Sequence, residues 1–306
     1  MMEKKLRIVF MGTPEFAVPS LKILVESGYK IPAVITSPDK PSGRGLLVQQ
    51  SAVKRFATQH NIPVLQPEKL KDPKFIEQLR SFRADLQVIV AFRMLPEVIW
   101  NMPQMGTINL HASLLPDYRG AAPINWAIIN GERKTGVTTF FLKHEIDTGD
   151  MLLQQKVEIE ENETAGSLHD KLMITGAGLV LQSVEMIENK NYIVTPQNLQ
   201  TGKSAPKIFK EHCQIDWSKD VVSIKNLIHG LSPHPAAFTK LDEKFLKVFK
   251  AHVLKEAVHG TAGTVLTDGK TYLKFAAADG FVYIDELQAE GKKKMTVEEF
   301  IRGYRK

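Results

Sequence analysis

The chain has 306 residues, of which 43% are hydrophobic and 24% are charged. This length exceeds the size at which one hydrophobic core usually stops growing, so two domains are expected. The composition excludes wholesale disorder and a collagen-like fibre, and the sequence has no apolar run near the roughly eighteen residues that span a bilayer. We therefore expect no membrane association.

The net charge of +6 is concentrated in the last third of the chain. Residues 207–306 carry 17 basic and 13 acidic side chains, which is a weak sign of an anionic partner such as nucleic acid. The single cysteine, Cys213, permits no internal disulfide, and the apolar stretch near the N-terminus is too short for a signal peptide. We expect a cytoplasmic protein.

The chain begins with a pattern of strand, tight turn and helix. Residues 6–12 (LRIVFMG) predict a buried parallel strand, and Pro14 stands where a helix would begin. The apolar spacing that follows ends at Gly28. A second strand is predicted at 31–36, and the segment 37–45 (SPDKPSGRG) is predicted to be a loop.

Strands and helices continue to alternate up to about residue 190. The pattern predicts helices near 50–60 and 72–83, a strand at 84–92, a short helix from Pro96, a strand at 106–113, a helix at 121–130, strands at 136–143 and 151–159, and a helix at 164–189. This alternation favours an α/β fold with a twisted, mostly parallel sheet and helices on both faces.

The last hundred residues have a different texture. After a polar connector, short strand-like runs separated by glycines favour a small barrel or sandwich, with a helix at 296–302. We therefore predict an α/β domain at 1–189, a linker at 190–207 and a C-terminal domain at 208–306.

Common cofactor and hydrolase motifs are missing from the sequence. No Gly-x-Gly-x-x-Gly fingerprint follows the first strand, where Gly12 stands alone. The TGKS at 201–204 is not a phosphate loop, because Gln197 occupies the position of its first glycine. Neither a serine nucleophile elbow nor a His-Glu-x-x-His zinc motif is present.

Asn109 and His111 are the first candidate catalytic residues. They lie two residues apart on a predicted strand, so both side chains leave the same face while Leu110 points the other way. They also lie near the strand's carboxyl end, the edge at which open parallel sheets bind ligands. An amide donor beside an imidazole suits stabilisation of an oxyanion. Alternatively, both residues simply cap a strand end.

Asp147 is the third candidate, in a turn that ends at Gly149 after the strand 136–143. An adjacent strand can carry this carboxylate to the same sheet edge, where it would favour the His111 cation and orient the ring. Asp150, Glu145 and His144 lie close by and are competing candidates.

Longer motifs around these residues resemble a known family. The segment 113–123 (SLLPDYRGAAP), together with Asn109, His111 and the Asp147 turn, resembles the formyltransferases that use 10-formyltetrahydrofolate. Within that superfamily, residues 11–21 (MGTPEFAVPSL) and 37–45 are similar to the methionyl-tRNA formyltransferases. The similarity runs nearly end to end, and it implies a Rossmann-like catalytic domain followed by an OB-like barrel that helps to hold tRNA.

The resemblance also implies roles for individual residues. Asn109, His111 and Asp147 match the family's catalytic trio, and Arg44 matches a basic residue associated with the tRNA acceptor end. The family's folate-contacting segment matches Ser113, Leu114, Leu115 and Pro116. The loop after Arg44 continues as LLVQQ instead of carrying the extra lysines of many relatives.

The reaction implied is attack by the amine of methionyl initiator tRNA on the formyl carbon of 10-formyltetrahydrofolate, with no metal. We expect a monomer. Three alternatives remain at this stage: a formyltransferase acting on an amino sugar nucleotide, a non-catalytic folate- or RNA-binding relative and, less favoured, a glycinamide ribonucleotide formyltransferase. The last of these would need only about the first two hundred residues.

Overall fold

The computed structural model describes residues 5–42, 47–144, 147–198, 200, 202–258 and 260–304. The chain forms two compact units. The first comprises Met1–Arg119, Gly136–Val157 and Asp170–Lys203, and the second comprises Gly120–Thr135, Glu158–His169 and Ser204–Lys306. The connector up to Lys203 is thus part of the first unit. The domain boundaries themselves stay a prediction.

The described residues form strands and helices in the following order. The strands are β1 (Ile8–Gly12), β2 (Val34–Ile35), β3 (Lys40–Ser42), β4 (Leu47–Gln49), β5 (Val64–Leu65), β6 (Leu86–Val90), β7 (Thr107–His111), β8 (Arg119–Gly120), β9 (Lys134–Phe141), β10 (Met151–Glu158), β11 (Ser204–Ala205), β12 (Ala237–Leu241), β13 (Lys244–Leu254), β14 (Val265–Thr267), β15 (Leu273–Ala276), β16 (Phe281–Ala289) and β17 (Met295–Thr296). The helices are α1 (Val18–Glu26), α2 (Ala52–Gln59), α3 (Pro73–Ser81), α4 (Glu97–Trp100), α5 (Pro123–Ile129), α6 (Ala165–Glu188), α7 (Val221–Gly230) and α8 (Val297–Gly303). No helix among the described residues combines the length and apolar character that crossing a bilayer requires.

The first unit is built on a seven-stranded sheet in the order β10-β9-β7-β6-β1-β2-β5. The pairs β1/β2, β2/β5, β1/β6 and β6/β7 are parallel, and β9 runs antiparallel to β7. The residues of β1 and β6 are buried throughout, as expected for parallel strands covered on both faces. This confirms the predicted Rossmann-like, mostly parallel fold.

Two local predictions in the first fifty residues were wrong. Pro14 precedes a short 3-10 turn (Glu15–Ala17), and the α-helix begins only at Val18. The reason is Pro19: a proline is tolerated in the first turn of a helix but breaks its interior, so the helix must start just before it. The predicted loop 37–45 also contains β3, which pairs with β4 in a hairpin. Arms of three residues are too short to show an alternating pattern.

The second unit holds an antiparallel sheet in the order β12-β13-β16-β15-β14, with β17 paired to β16. A register shift at Lys250, where β13 meets β16, marks a β-bulge of the kind that bends strands in small barrels. The fold agrees with the predicted OB-like domain. The sequence analysis missed α7, whose Asp220 side chain caps the helix by accepting a hydrogen bond from the Ser223 N–H.

Candidate active site

Strand β7 carries the first two candidate residues. It lies between β6 and β9, and Asn109 is opposite Ile89 on one side and Phe140 on the other. His111 is the last residue of the strand and is opposite Thr138. The two candidates therefore lie at the carboxyl end of an inner strand, where the flanking strands fix the backbone.

The packing of Leu110 shows which face these residues take. A Cβ added at Gly176 of α6 would lie 2.6 Å from Cδ2 of Leu110, so the leucine fits against the helix because Gly176 has no side chain. Since successive side chains of a strand alternate, Asn109 and His111 leave the opposite face of the sheet.

The contacts of His111 define the role of each ring nitrogen. The residue is 7% exposed, and its Nε2 lies 2.8 Å from the carbonyl oxygen of Tyr118. Because a carbonyl oxygen can only accept a hydrogen bond, Nε2 carries the hydrogen. The other nitrogen, Nδ1, lies 3.9 Å from Oδ2 of Asp147. Nδ1 is therefore the ring nitrogen that carries no hydrogen in the neutral form, and it faces a carboxylate.

The turn that carries Asp147 has strict backbone requirements. Asp147 has a left-handed backbone with φ of 53°, which aspartate tolerates better than most residues. At Gly149, a Cβ would lie 1.6 Å from the carbonyl oxygen of Phe141. Only glycine fits there, so this turn returns the chain tightly from the end of β9 and places Asp147 beside His111.

The competing candidates have other partners or lie elsewhere. Asp150 accepts a hydrogen bond of 2.8 Å from Nζ of Lys143. The exposed His144 lies 3.3 Å from the carboxylate of Glu97. Glu145 lies outside the described residues. Of the described competitors, neither is paired with His111.

The predicted folate-contacting segment is held by hydrogen bonds to the buried Thr138 and the exposed Gln154. The hydroxyl of Thr138 donates to the carbonyl oxygen of Ser113 at 2.7 Å and accepts from the Leu115 N–H at 3.1 Å. The side-chain amide of Gln154 donates to the Leu115 carbonyl oxygen at 2.8 Å and to the Thr138 hydroxyl at 3.0 Å. Ser113 is fully buried and donates through its hydroxyl to the Asp117 carbonyl oxygen at 2.6 Å.

The remaining members of the segment are fixed by packing. Leu115 is 3% exposed and is joined to Pro116 by a cis peptide bond. A Cβ added at Gly136 would lie 2.5 Å from Cδ2 of Leu114, so that leucine occupies the space over the glycine. Packing therefore holds both leucines where the chain leaves β7.

The predicted tRNA-contacting residue, Arg44, lies outside the described residues. The chain that leads to it is anchored through Asp39, whose carboxylate accepts hydrogen bonds of 2.5 Å from Nζ of Lys54 and 2.7 Å from the amide of Gln66. These hydrogen bonds lower the pKa of Asp39 below its ordinary value. Gln66 also donates to the Ser37 carbonyl oxygen at 2.8 Å.

The second unit exposes lysines along one strand. On β13, Lys244, Lys247 and Lys250 are all exposed. Lys247 and Lys250 are three residues apart, and the bulge at Lys250 allows both to face solvent. Lys292 and Lys293 are exposed as well. Lys294 is also exposed, but it pairs with Glu286 and lies 5.2 Å above the ring of Phe249.

Groups of three or more histidine, cysteine, aspartate or glutamate side chains that could hold a metal ion do not occur within the described ranges. The prediction that the reaction needs no metal stays a prediction. The sequence analysis did not find Thr138 and Gln154. Thr138 is one of three buried threonines on β9, so no sequence signal distinguished it from the other two.

Two family models match the chain. The model described as formyl transferase matches residues 6–184, and the model described as formyl transferase, C-terminal domain, matches residues 207–305. Together they cover both the Rossmann-like sheet and the OB-like sheet.

Full-length relatives give a more specific comparison. The chain is 52% identical to the methionyl-tRNA formyltransferase of Bacteroides thetaiotaomicron, over 100% of this chain and 98% of the relative. It is 54% identical to the methionyl-tRNA formyltransferase of Phocaeicola vulgatus, over 99% of this chain and 98% of the relative.

A solved structure has the same fold. It is an N-formyltransferase from Helicobacter canadensis in complex with folinic acid and dTDP-3-aminofucose, with a TM-score of 0.68 and 21% identity over 95% of this chain and 100% of that chain. An identity this low shows the fold alone. The family models and the full-length relatives show that this chain belongs to the formyltransferase family, within the methionyl-tRNA formyltransferases.

Proposed function

We propose that this protein transfers the formyl group of 10-formyltetrahydrofolate to the free amino group of methionyl initiator tRNA. The product is N-formylmethionyl-tRNA for translation initiation. The observation that carries the proposal is the pairing of His111 with Asp147. His111 lies at the carboxyl end of β7, two residues after Asn109. The names of the full-length relatives support the acceptor, and the folinic acid bound to the Helicobacter canadensis enzyme supports a folate donor.

The chemistry requires charge stabilisation and proton transfer. The amine nitrogen bonds to the formyl carbon, and the carbonyl electrons move to oxygen to give an oxyanion. The amine nitrogen loses a proton, and the oxyanion electrons re-form the carbonyl as the bond from the formyl carbon to the folate nitrogen breaks. The folate nitrogen keeps the electrons of that bond and takes up a proton. We assign oxyanion stabilisation to Asn109 and His111. His111 exchanges the proton through Nδ1, and Asp147 stabilises the imidazolium.

A strong base is not required for this reaction. Free α-amino groups titrate near 7.7 to 8.0, and the ester carbonyl of a charged tRNA lowers that range further. A substantial fraction of the attacking amine is therefore neutral at working pH. The contribution of the protein is to position the reactants and to stabilise charge.

Recognition of tRNA is assigned to Arg44 and to the C-terminal domain at 208–306. The exposed lysines of β13 support this assignment because phosphate contacts supply most of the affinity for nucleic acids. Arg44→Ala should weaken the use of charged tRNA and spare folate binding, whereas equal losses on both substrates would contradict the assignment. A cytoplasmic location and a monomeric state belong to the same proposal.

The direct test is a formyl-transfer assay with three acceptors: methionyl initiator tRNA, methionyl elongator tRNA and an amino sugar nucleotide. We expect rapid transfer to the initiator tRNA and little to the other two. Preferred transfer to the sugar nucleotide would establish the rival activity. Folate binding without transfer to any acceptor would establish a non-catalytic relative.

A further inference from the structure

Gln197 is a buried polar residue within an exposed connector. It is 9% exposed, whereas Thr195, Pro196 and Asn198 are all exposed. Burial of a polar side chain is costly unless its hydrogen-bonding groups have partners. The contacts of this amide therefore indicate what the connector does in the first unit.

Both ends of the Gln197 amide have partners. Its Nε2 donates to the carbonyl oxygens of Asp147 at 2.9 Å and Gly149 at 2.8 Å. Its Oε1 accepts from Nε of Arg119 at 3.1 Å and from Nη2 at 3.0 Å. Two donor hydrogens and two acceptor sites are thus used, which fixes the orientation of the amide.

These contacts join the two sides of the candidate catalytic pair. On one side, Gln197 holds the turn that carries Asp147. On the other side, it holds Arg119, which directly follows Tyr118, and the Tyr118 carbonyl oxygen is the partner of His111 Nε2. The connector is itself fastened, because Thr195 and Met151 exchange two backbone hydrogen bonds of 2.8 Å.

We propose that Gln197 is a positioning residue that sets the distance between Asp147 and His111. This inference rests on the proposed function, because it concerns the same site. The distance of 3.9 Å is too long for a hydrogen bond and short enough for a strong charge interaction, so it depends on where the turn is held. The hydrogen bonds of the Gln197 side chain form a brace between the turn and the Tyr118 segment, and this brace holds the turn there.

A comparison of Gln197→Glu with Gln197→Ala distinguishes the hydrogen bonds that Gln197 donates to the turn from those that it accepts from Arg119. The glutamate has nearly the same shape and still accepts from Arg119, but it cannot donate to the two carbonyl oxygens. The alanine removes both ends. Gln200→Ala is the matched control, since Gln200 is a glutamine in the same connector and is exposed.

We expect Gln197→Glu and Gln197→Ala each to lower kcat for formyl transfer about 10- to 100-fold, since displacement of a catalytic group by about 1 Å has effects of this size. KM for both substrates should change less than about threefold, and Gln200→Ala should behave as the unaltered protein. A Gln197→Glu protein that keeps the original kcat, or changes only KM, would overturn the proposal. If Gln197→Ala does not fold, as judged by urea unfolding, the isosteric Gln197→Glu carries the test.

A double-mutant cycle distinguishes positioning from a general structural role. In an Asp147→Asn protein, adding Gln197→Ala should lower kcat less than about threefold, because the carboxylate that the brace positions is already gone. The same large loss in both backgrounds would show that Gln197 does not act through Asp147. If Asp147→Asn alone leaves kcat unchanged, Asp147 has no part in catalysis, and both its assignment to the site and the positioning role of Gln197 are overturned.

Discussion

Thr138 lies at the centre of the hydrogen-bond network that holds the segment after β7, so Thr138→Val is a sharp test of that network. Valine has the shape of threonine without its hydroxyl, and Thr138 is fully buried. The change leaves no cavity. It removes the donor to the Ser113 carbonyl oxygen and the acceptor of the Leu115 N–H. It also removes the acceptor of one Gln154 amide hydrogen, but Gln154 is exposed and keeps its hydrogen bond to the Leu115 carbonyl oxygen.

The expected cost follows from the two backbone groups that lose their partner. A buried polar group left without a partner costs about 1–3 kcal/mol, so the free energy of unfolding should fall by about 2–6 kcal/mol. This is a large part of the roughly 5–15 kcal/mol that is typical of proteins. We also expect KM for 10-formyltetrahydrofolate to rise, because the segment from Ser113 to Pro116 loses its anchor.

Urea unfolding and steady-state kinetics measure both effects. Thr138→Ser is the control, since it keeps the hydroxyl and should cost only about 1 kcal/mol for the lost methyl group. If Thr138→Val were within about 0.5 kcal/mol of the unaltered protein, the hydroxyl would not be holding the segment and the reasoning would be refuted.

Three further predictions concern catalysis, pH dependence and tRNA binding. Asn109→Ala should lower kcat about 100- to 1000-fold without loss of stability, since it removes an oxyanion donor; unchanged turnover would remove Asn109 from the mechanism. The hydrogen bonds that lower the pKa of Asp39 contribute stability that is present above the ordinary aspartate value of 3.8 and is lost as pH falls through the lowered pKa. Lys54→Met should therefore be less stable than the unaltered protein at pH 7 in urea unfolding, with the difference shrinking as acid protonates Asp39; a difference independent of pH would contradict this origin. Lys247→Ala should reduce the salt dependence of tRNA binding by about one unit of log Kd per log salt, and an unchanged slope would place this lysine outside the tRNA contact.

The arrangement on β7 could be predicted from the sequence because it depends only on local rules. Alternation along a strand put Asn109 and His111 on one face, and the parallel fold put them at the carboxyl end. Asp147 could be predicted as a candidate because it is a polar residue in a glycine turn that follows the next strand in the sheet. The distance from Asp147 to His111 could not be predicted, because it depends on how the turn returns from Phe141.

The supporting groups were beyond the reach of sequence reasoning. Thr138 and Gln197 carry no motif, and each acts through contacts with residues far along the chain: 25 residues for Thr138 to Ser113, and 50 for Gln197 to Asp147. Helix α7 was missed although its apolar residues recur at helical spacing and Asp220 caps it. The short strand-like runs and glycines that follow it favour β structure in this part of the chain.

The most direct test of the catalytic pair is the rate of a single turnover of formyl transfer, measured by rapid quench with saturating donor and methionyl initiator tRNA. The proteins to compare are the unaltered chain, His111→Gln, Asp147→Asn and the double variant. In the proposed mechanism the two side chains act as one unit, so each single change should lower the rate about 100-fold or more, and the double variant should be no slower than the slower single variant. An Asp147→Asn protein with the original rate, or a double variant slowed by the product of the two single effects, would contradict the account.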